Sequence, residues 1–155
     1  VTFNFNMTAP STKGSYPISV QMLKEGVAWF GPKVDKSINV TVKDLSSQII
    51  SENIPTSMEA GKTYPVSITV KNTGAETWTQ KNLIRLGVNP TSNAFGVNYR
   101  QLLSSSASIA PGQTVTFNFN MTAPSTKGSY PISVQMLKEA VAWFGPKVEK
   151  LITVE

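Results

Sequence analysis

A long internal repeat constrains this chain more than any other feature. Residues 1–40 return at 115–154, offset by 114 residues, with thirty-six of forty positions identical. A period of that length is too long for a solenoid unit, which must stack on its neighbour to bury a face; it is the size of a domain with its own core. The chain therefore reads as 1–41, the back part of one module, followed by 42–155, one complete module. Lys43-Asp44-Leu45-Ser46-Ser47 is the expected joint, short and polar. The pattern is that of a tandem array in which neighbouring modules sit end to end.

The four differences between the copies are themselves informative: Gly26/Ala140, Asp35/Glu149, Ser37/Leu151 and Asn39/Thr153. The last three fall on alternate residues, and the intervening Ile38/Ile152 and Val40/Val154 do not change. That is a strand with one packed face and one face free to drift. The Gly26/Ala140 exchange implies a position with no need of positive φ, since an Ala resists it.

Within 42–155, period-two alternation dominates. Val66, Ile68 and Val70 share one face of TYPVSITVKN at 63–72, and Val115, Phe117, Phe119 and Met121 share one face of TVTFNFNMT at 114–122. Tyr130, Ile132, Val134 and Met136 repeat the pattern, as do Ile84, Leu86 and Val88. Turn signals separate these runs: Ala60-Gly61-Lys62, Asn72-Thr73-Gly74, Ala110-Pro111-Gly112, Ala123-Pro124-Ser125 and Lys127-Gly128. Leu137 to Trp143 fits a hairpin through Lys138-Glu139-Ala140 better than a helix. About seven short strands, each with one apolar face, need two sheets packed against each other. The fold class is all-β, an immunoglobulin-like β-sandwich.

Composition narrows the function. The chain has no Cys and no His, which removes disulfides, thiol nucleophiles, Ser-His-Asp triads and most zinc sites. Its acids, Asp44, Glu52, Glu59, Glu76, Glu139, Glu149 and Glu155 in the full module, fall mostly at turns or in the joint and form no catalytic pair. No run of alternating Asp or Asn ligands suits calcium. No catalytic residue, metal or cofactor is expected, and the chain does not read as an enzyme. The net charge of +5 is carried by lysines spread singly, with only Arg85 and Arg100 as arginines. That is a solvated surface rather than the basic stripe of a nucleic-acid binder. No apolar run approaches the roughly 18 residues of a membrane span, and Val1 reads as an internal start without a signal peptide.

The motifs resemble a known family. Asn72-Thr73-Gly74 with Thr77-Trp78-Thr79, Ile109-Ala110-Pro111-Gly112-Gln113, Thr122-Ala123-Pro124-Ser125 with Gly128-Ser129-Tyr130, and Val141-Ala142-Trp143-Phe144-Gly145 are similar to the four-tryptophan (FW) Ig-like domain of selective-autophagy receptors and of tandem repeats in bacterial and archaeal surface proteins. The resemblance covers about 50–155. Trp78 and Trp143 match family tryptophans, and the other two are replaced near Tyr99 and Gln135. The resemblance implies a non-catalytic sandwich used for protein contacts or as a spacer.

Two readings follow. The first is a structural Ig-like repeat of a long extracellular or cell-surface fibre, stalk or adhesin, whose partners are other copies of the same repeat. The near-identical copies favour it. The alternative is a glycan- or protein-binding accessory module of a secreted multidomain protein. For contacts, the loop 89–99 supplies Phe95 and Tyr99, with Arg100 beside it, and Trp78 is a further candidate. Trp78, Trp143 and its copy Trp29 read first as structural, core or edge-packing residues, with a sugar-stacking platform on Trp78 or Trp143 as the less favoured alternative. Asn6, Asn39 and Asn120 fit the N-glycosylation acceptor pattern, which agrees with a surface location. Residues 1–40 lack front strands of their own. They should expose Phe3, Phe5, Tyr16, Ile18 and Val20 until completed from outside, by a preceding part of a longer chain or by strand exchange with a neighbouring copy.

Overall fold

The computed structural model describes residues 1–10, 13–41, 44–90 and 93–155. It divides into two compact units, Val1–Lys43 and Asp44–Glu155. Of the expected joint, Lys43 lies outside the described residues, as do Thr91 and Ser92 of the 89–99 loop.

The described residues of the second unit form the strands β3 (Ser47–Glu52), β4 (Ser57–Met58), β5 (Thr63–Asn72), β6 (Trp78–Thr79), β7 (Ile84–Pro90), β8 (Arg100–Leu102), β9 (Ser108–Ile109), β10 (Thr114–Thr122), β11 (Gly128–Lys138) and β12 (Ala142–Val154). One sheet runs β10-β5-β3 and the other β4-β12-β11-β7-β8, with a two-residue ladder β6-β9. All pairings are antiparallel except the short parallel pairing of β12 with β4.

The core lies between the two main sheets. Val66, Ile68, Val70, Phe117 and Met121 come from one, and Leu86, Val88, Ile132, Val134, Met136, Ile152 and Val154 from the other. These are the alternate residues of each strand, so the period-two pattern translates directly into the buried face. Glu149, Leu151 and Thr153, which differ from the first copy, face solvent, and Ile152 and Val154 between them are buried. Trp78 and Phe95 are fully buried; the Trp78 ring tilts against Phe144 at 5.8 Å and Phe95 meets Tyr130 edge-on at 6.0 Å.

The turn motifs hold the corners through side-chain hydrogen bonds. Asn72 is buried; its Nδ2 donates to the Glu76 and Ile109 carbonyls at 2.8 and 2.9 Å, and its Oδ1 accepts from the Gly74 N–H. The Ala110 N–H donates to Gln113 Oε1, and the Tyr130 hydroxyl donates to the Thr126 carbonyl. A buried amide such as that of Asn72 needs partners, and here the backbone supplies them. The described part of the joint belongs to this unit: the Asp44 and Ser46 carbonyls accept from the Glu76 and Thr73 N–H groups, and Ser47 opens β3.

Among its described residues the first unit forms a hairpin, β1 (Gly14–Lys24) with β2 (Ala28–Val40). Its register and its irregularity between Val20 and Met22 match those of β11 and β12, where the shift falls between Val134 and Met136. Gln21 Nε2 donates to the Gly31 carbonyl as Gln135 Nε2 does to the Gly145 carbonyl. Residues 1–8, identical to 115–122, form no strand in this unit, whereas 114–122 is β10, paired along its length with β5. Hairpin geometry is local and travels with the sequence. β10 depends on a distant partner and does not.

One expectation fails at the hairpin turn. Gly26 has φ +70° and Ala140 has φ +58°, so both copies need the left-handed conformation. The turn closes with Val27 N–H on the Lys24 carbonyl and Val141 N–H on the Lys138 carbonyl. Ala140 accepts the strain, about 1–2 kcal/mol for a left-handed L-residue, because long strand pairing on both sides fixes the turn.

Candidate functional site

The outer face of the five-stranded sheet carries the most differentiated surface of the second unit. Consecutive strand residues point to opposite faces, so Phe144 enters the core and Trp143 stands outside, 47% exposed. The indole lies across the neighbouring strands. A Cβ on Gly87 would come within 2.3 Å of its ring, and Leu137 lies next to it, so the missing side chain of Gly87 makes room for the ring. The Arg100 guanidinium sits over the indole, 5.1 Å from the ring centre.

The arginine is itself held. Its Nε donates to Glu139 Oε1 at 2.8 Å, and Arg85 Nε approaches the same oxygen at 3.7 Å. Glu139 lies in the β11–β12 turn, between the end of β11 and the start of β12, and so links that turn to β7 and β8. Lys138 on the same hairpin pairs with both oxygens of Glu76, at 2.7 and 2.9 Å. The ring, guanidinium and carboxylate thus hold one another in place.

Two depressions flank the indole. One, about 360 Å³, is lined by Asn89, Ser133, Gln135, Trp143 and Lys147. The other, about 230 Å³, is lined by residues of the β11–β12 turn with Arg100 and Trp143. A flat apolar plate edged by an amide, a hydroxyl and an ammonium group can stack a sugar ring or a peptide side chain and hydrogen-bond its polar edge. Among the described residues no three His, Cys, Asp or Glu side chains converge as a metal site.

The structure sorts the sequence candidates. Trp78 and Phe95 are fully buried: for Trp78 this is the core reading and not the contact, and for Phe95 it corrects the expected contact, because large aromatics fill the interior between the sheets. Tyr99 is 45% exposed, and Arg100 is the cation over Trp143. Trp143 and Trp29, expected as core or edge-packing residues, lie at the surface at 47% and 64% exposure, with Trp143 packed on Gly87. The signal for this was present in the adjacent Trp143-Phe144 pair, which a strand cannot bury together on one face. Asn6, Asn39 and Asn120 are all exposed.

This geometry defines an Ig-like β-sandwich domain with a furnished outer sheet face. The chain belongs to the family of the Ig-like domain from next to BRCA1 gene, which residues 53–154 match. Among solved structures it is similar to the CARDB domain of a Pyrococcus furiosus protein in solution, at 16% identity and a TM-score of 0.51, covering 72% of this chain and 94% of that one. A crystal structure of that domain in complex with di-metal ions gives 17% identity and a TM-score of 0.52, covering 76% and 95%. No match is found among curated proteins. At these identities the structural likeness concerns the fold. Among the described residues no helix is long and apolar enough to cross a membrane.

Proposed function

We propose that the 44–155 unit is a structural repeat of an extracellular or cell-surface fibre, stalk or adhesin, joined end to end to further copies and without catalytic activity. The observation that carries this reading is the separation of its two ends. At the start, the Asp44 and Ser46 carbonyls bond to Glu76 and Thr73, beyond the Asn72 end of β5. At the finish, the Glu155 carbonyl accepts from the Ala60 N–H, beside the Thr63 end of β5. β5 spans ten residues, about 30 Å at the rise of a strand. A module that receives the chain at one pole and releases it at the other builds length with every copy. Exposed Asn6, Asn39 and Asn120, with the polar outer strand faces, support the surface location. Small-angle scattering of a three-copy concatemer of 44–155 tests the reading. The maximum dimension should grow by at least about 30 Å per added copy; a compact particle that does not lengthen would refute it. Surface labelling of intact source cells with an impermeant reagent tests the location.

The Trp143 platform favours a second reading, an accessory module that binds a glycan or a protein. The relevant tryptophan is Trp143 rather than the buried Trp78. Glycan-array binding by the full chain that disappears in Trp143→Ala, with the fold unchanged, would establish this reading over the first.

A further inference from the structure

On the outer face of the five-stranded sheet the cations outnumber the acids that meet them. Arg85 on β7 and Arg100 on β8 both draw on Glu139, and among the described residues no second acid lies within ion-pair distance of either. The other acids nearby are engaged, Glu76 by Lys138 and Glu149 by Lys147. Arg100 takes the better geometry, with Nε on Glu139 Oε1 at 2.8 Å and Nη1 on the Tyr99 carbonyl at 3.0 Å. Arg85 is left 3.7 Å from the same oxygen, and its Nε is buried without a hydrogen-bond partner. A largely buried cation without an acceptor is costly, and one carboxylate cannot neutralise two guanidinium groups. The Arg85 side chain is 25% exposed, so an anion from outside can reach it.

The surroundings of this cation suit a particular anion. Arg85, Gly87 and Asn89 are alternate residues of β7 and share its outer face over about 14 Å. The Trp143 indole lies on Gly87, so the strand presents a cation, an aromatic plate and an amide in that order. Beyond the plate, Ser133 and Gln135 line the depression of about 360 Å³. Gln135 spends its Nε2 on the Gly145 carbonyl, which leaves its Oε1 to accept. Among the described residues the Asn89 amide and the Ser133 hydroxyl make no hydrogen bond within the protein.

We propose that this face binds an acidic glycan: a pyranose ring stacks on Trp143, its carboxylate reaches Arg85, and its neighbouring hydroxyls bond to Asn89, Ser133 and Gln135. Binding of this kind rests on the reading of the Trp143 platform as a ligand site and narrows it to one class of ligand. A sugar uses all that the site offers, since each hydroxyl both donates and accepts and its apolar face suits an indole. An acidic peptide fits less well. An extended peptide satisfies its backbone by adding to a sheet edge, whereas β7 and β11 are interior strands with a partner on each side.

The test is NMR titration of the full 155-residue chain with trigalacturonate and a hyaluronan tetrasaccharide, each set against its neutral methyl ester. The acids should shift the Trp143 indole N–H and bind at least about 10-fold more tightly than the esters, the scale of a hydrogen bond to a charged group. Arg85→Gln should bring the acids down to the affinity of the esters and leave the esters unchanged; Trp143→Ala should abolish binding of both. The comparison of acid with ester on the unaltered chain needs no substitution, so it decides the matter even where a variant loses stability. Equal binding of acid and ester, lost in Trp143→Ala, would overturn the acidic class and leave the glycan platform standing. An acid preference untouched by Arg85→Gln would overturn the role of Arg85. Binding of neither acid at millimolar concentration would overturn the proposal. So would binding of a sulfated dextran oligosaccharide alone, independent of Trp143, which marks charge attraction without stacking. Binding of a Glu-rich peptide but of no saccharide, dependent on Trp143 and Arg85, would overturn it in favour of a protein partner.

Discussion

Phe3 and Phe117 occupy equivalent positions in identical segments, yet only one contributes to a core. Phe117 is 4% exposed and packs between the two sheets, whereas Phe3 is 66% exposed. Removing a buried phenyl ring loses its transfer free energy and leaves a cavity, so Phe117→Ala should cost about 3–5 kcal/mol. Phe3→Ala touches no packed neighbour and should fall within about 0.5 kcal/mol of the parent. The assay is urea unfolding followed by tryptophan emission, in which the fully buried Trp78 undergoes the largest change of environment. With a slope of about 1–3 kcal/mol per molar for a domain of this size, Phe117→Ala should lower the midpoint by at least about 1 M. Phe3→Ala should leave it in place. Comparable losses from both substitutions would refute the argument, because they would mean that 1–8 is packed as 115–122 is.

Other expectations follow from single contacts. Ala140→Gly relieves a left-handed residue worth about 1–2 kcal/mol but adds freedom to the unfolded chain worth about 0.4–1 kcal/mol, so thermal unfolding should show a gain of roughly 0.5–1 kcal/mol. A loss would mean that the turn does not hold φ +58°. Trp143→Ala should cost roughly 1–2 kcal/mol, less than a core aromatic, because half of the ring is already in water. In the first unit the Ser19 hydroxyl donates to the Asp35 carboxylate and Lys33 pairs with it at 3.1 Å, which hold its carboxyl below the usual value of 3.8. A carboxylate lowered in the folded state favours folding above its unfolded pKa and loses that contribution as pH falls through the folded one. Carbonyl-detected NMR titration should show the Asp35 midpoint rise in Ser19→Ala, and an unmoved midpoint would contradict the assignment.

What the sequence made legible, and what it hid, divides along one physical line. Strand β5 over Thr63–Asn72 and strand β10 over Thr114–Thr122 were readable to the residue, because alternation is dictated by the sheet's two faces and turn residues mark the ends. The drift of positions 149, 151 and 153 against the constancy of 152 and 154 foretold which side of β12 is packed. The site was harder to see. Phe95 reads as a contact residue because its segment looks like a loop, and the sequence leaves Trp78 between core packing and contact; only the tertiary fold shows that both fill the interior of the sandwich. Trp143 needs Gly87 from a distant strand to lie flat, a relation with no local signature. Ala140 misled for another reason: an unfavourable φ can be imposed by the strands on either side, so the presence of Ala is weak proof of an ordinary backbone.

The central claim is that one sequence takes two states in this molecule according to whether a front half covers it. Amide hydrogen exchange read by NMR, which separates the two copies, tests this most directly because residues 2–8 and 116–122 have the same intrinsic chemistry. The amides of 116–122 that bond to β5 should exchange only on opening of the 44–155 unit, orders of magnitude more slowly than those of 2–8, which should exchange like a free peptide. Equal protection of the two segments, in either direction, would contradict it.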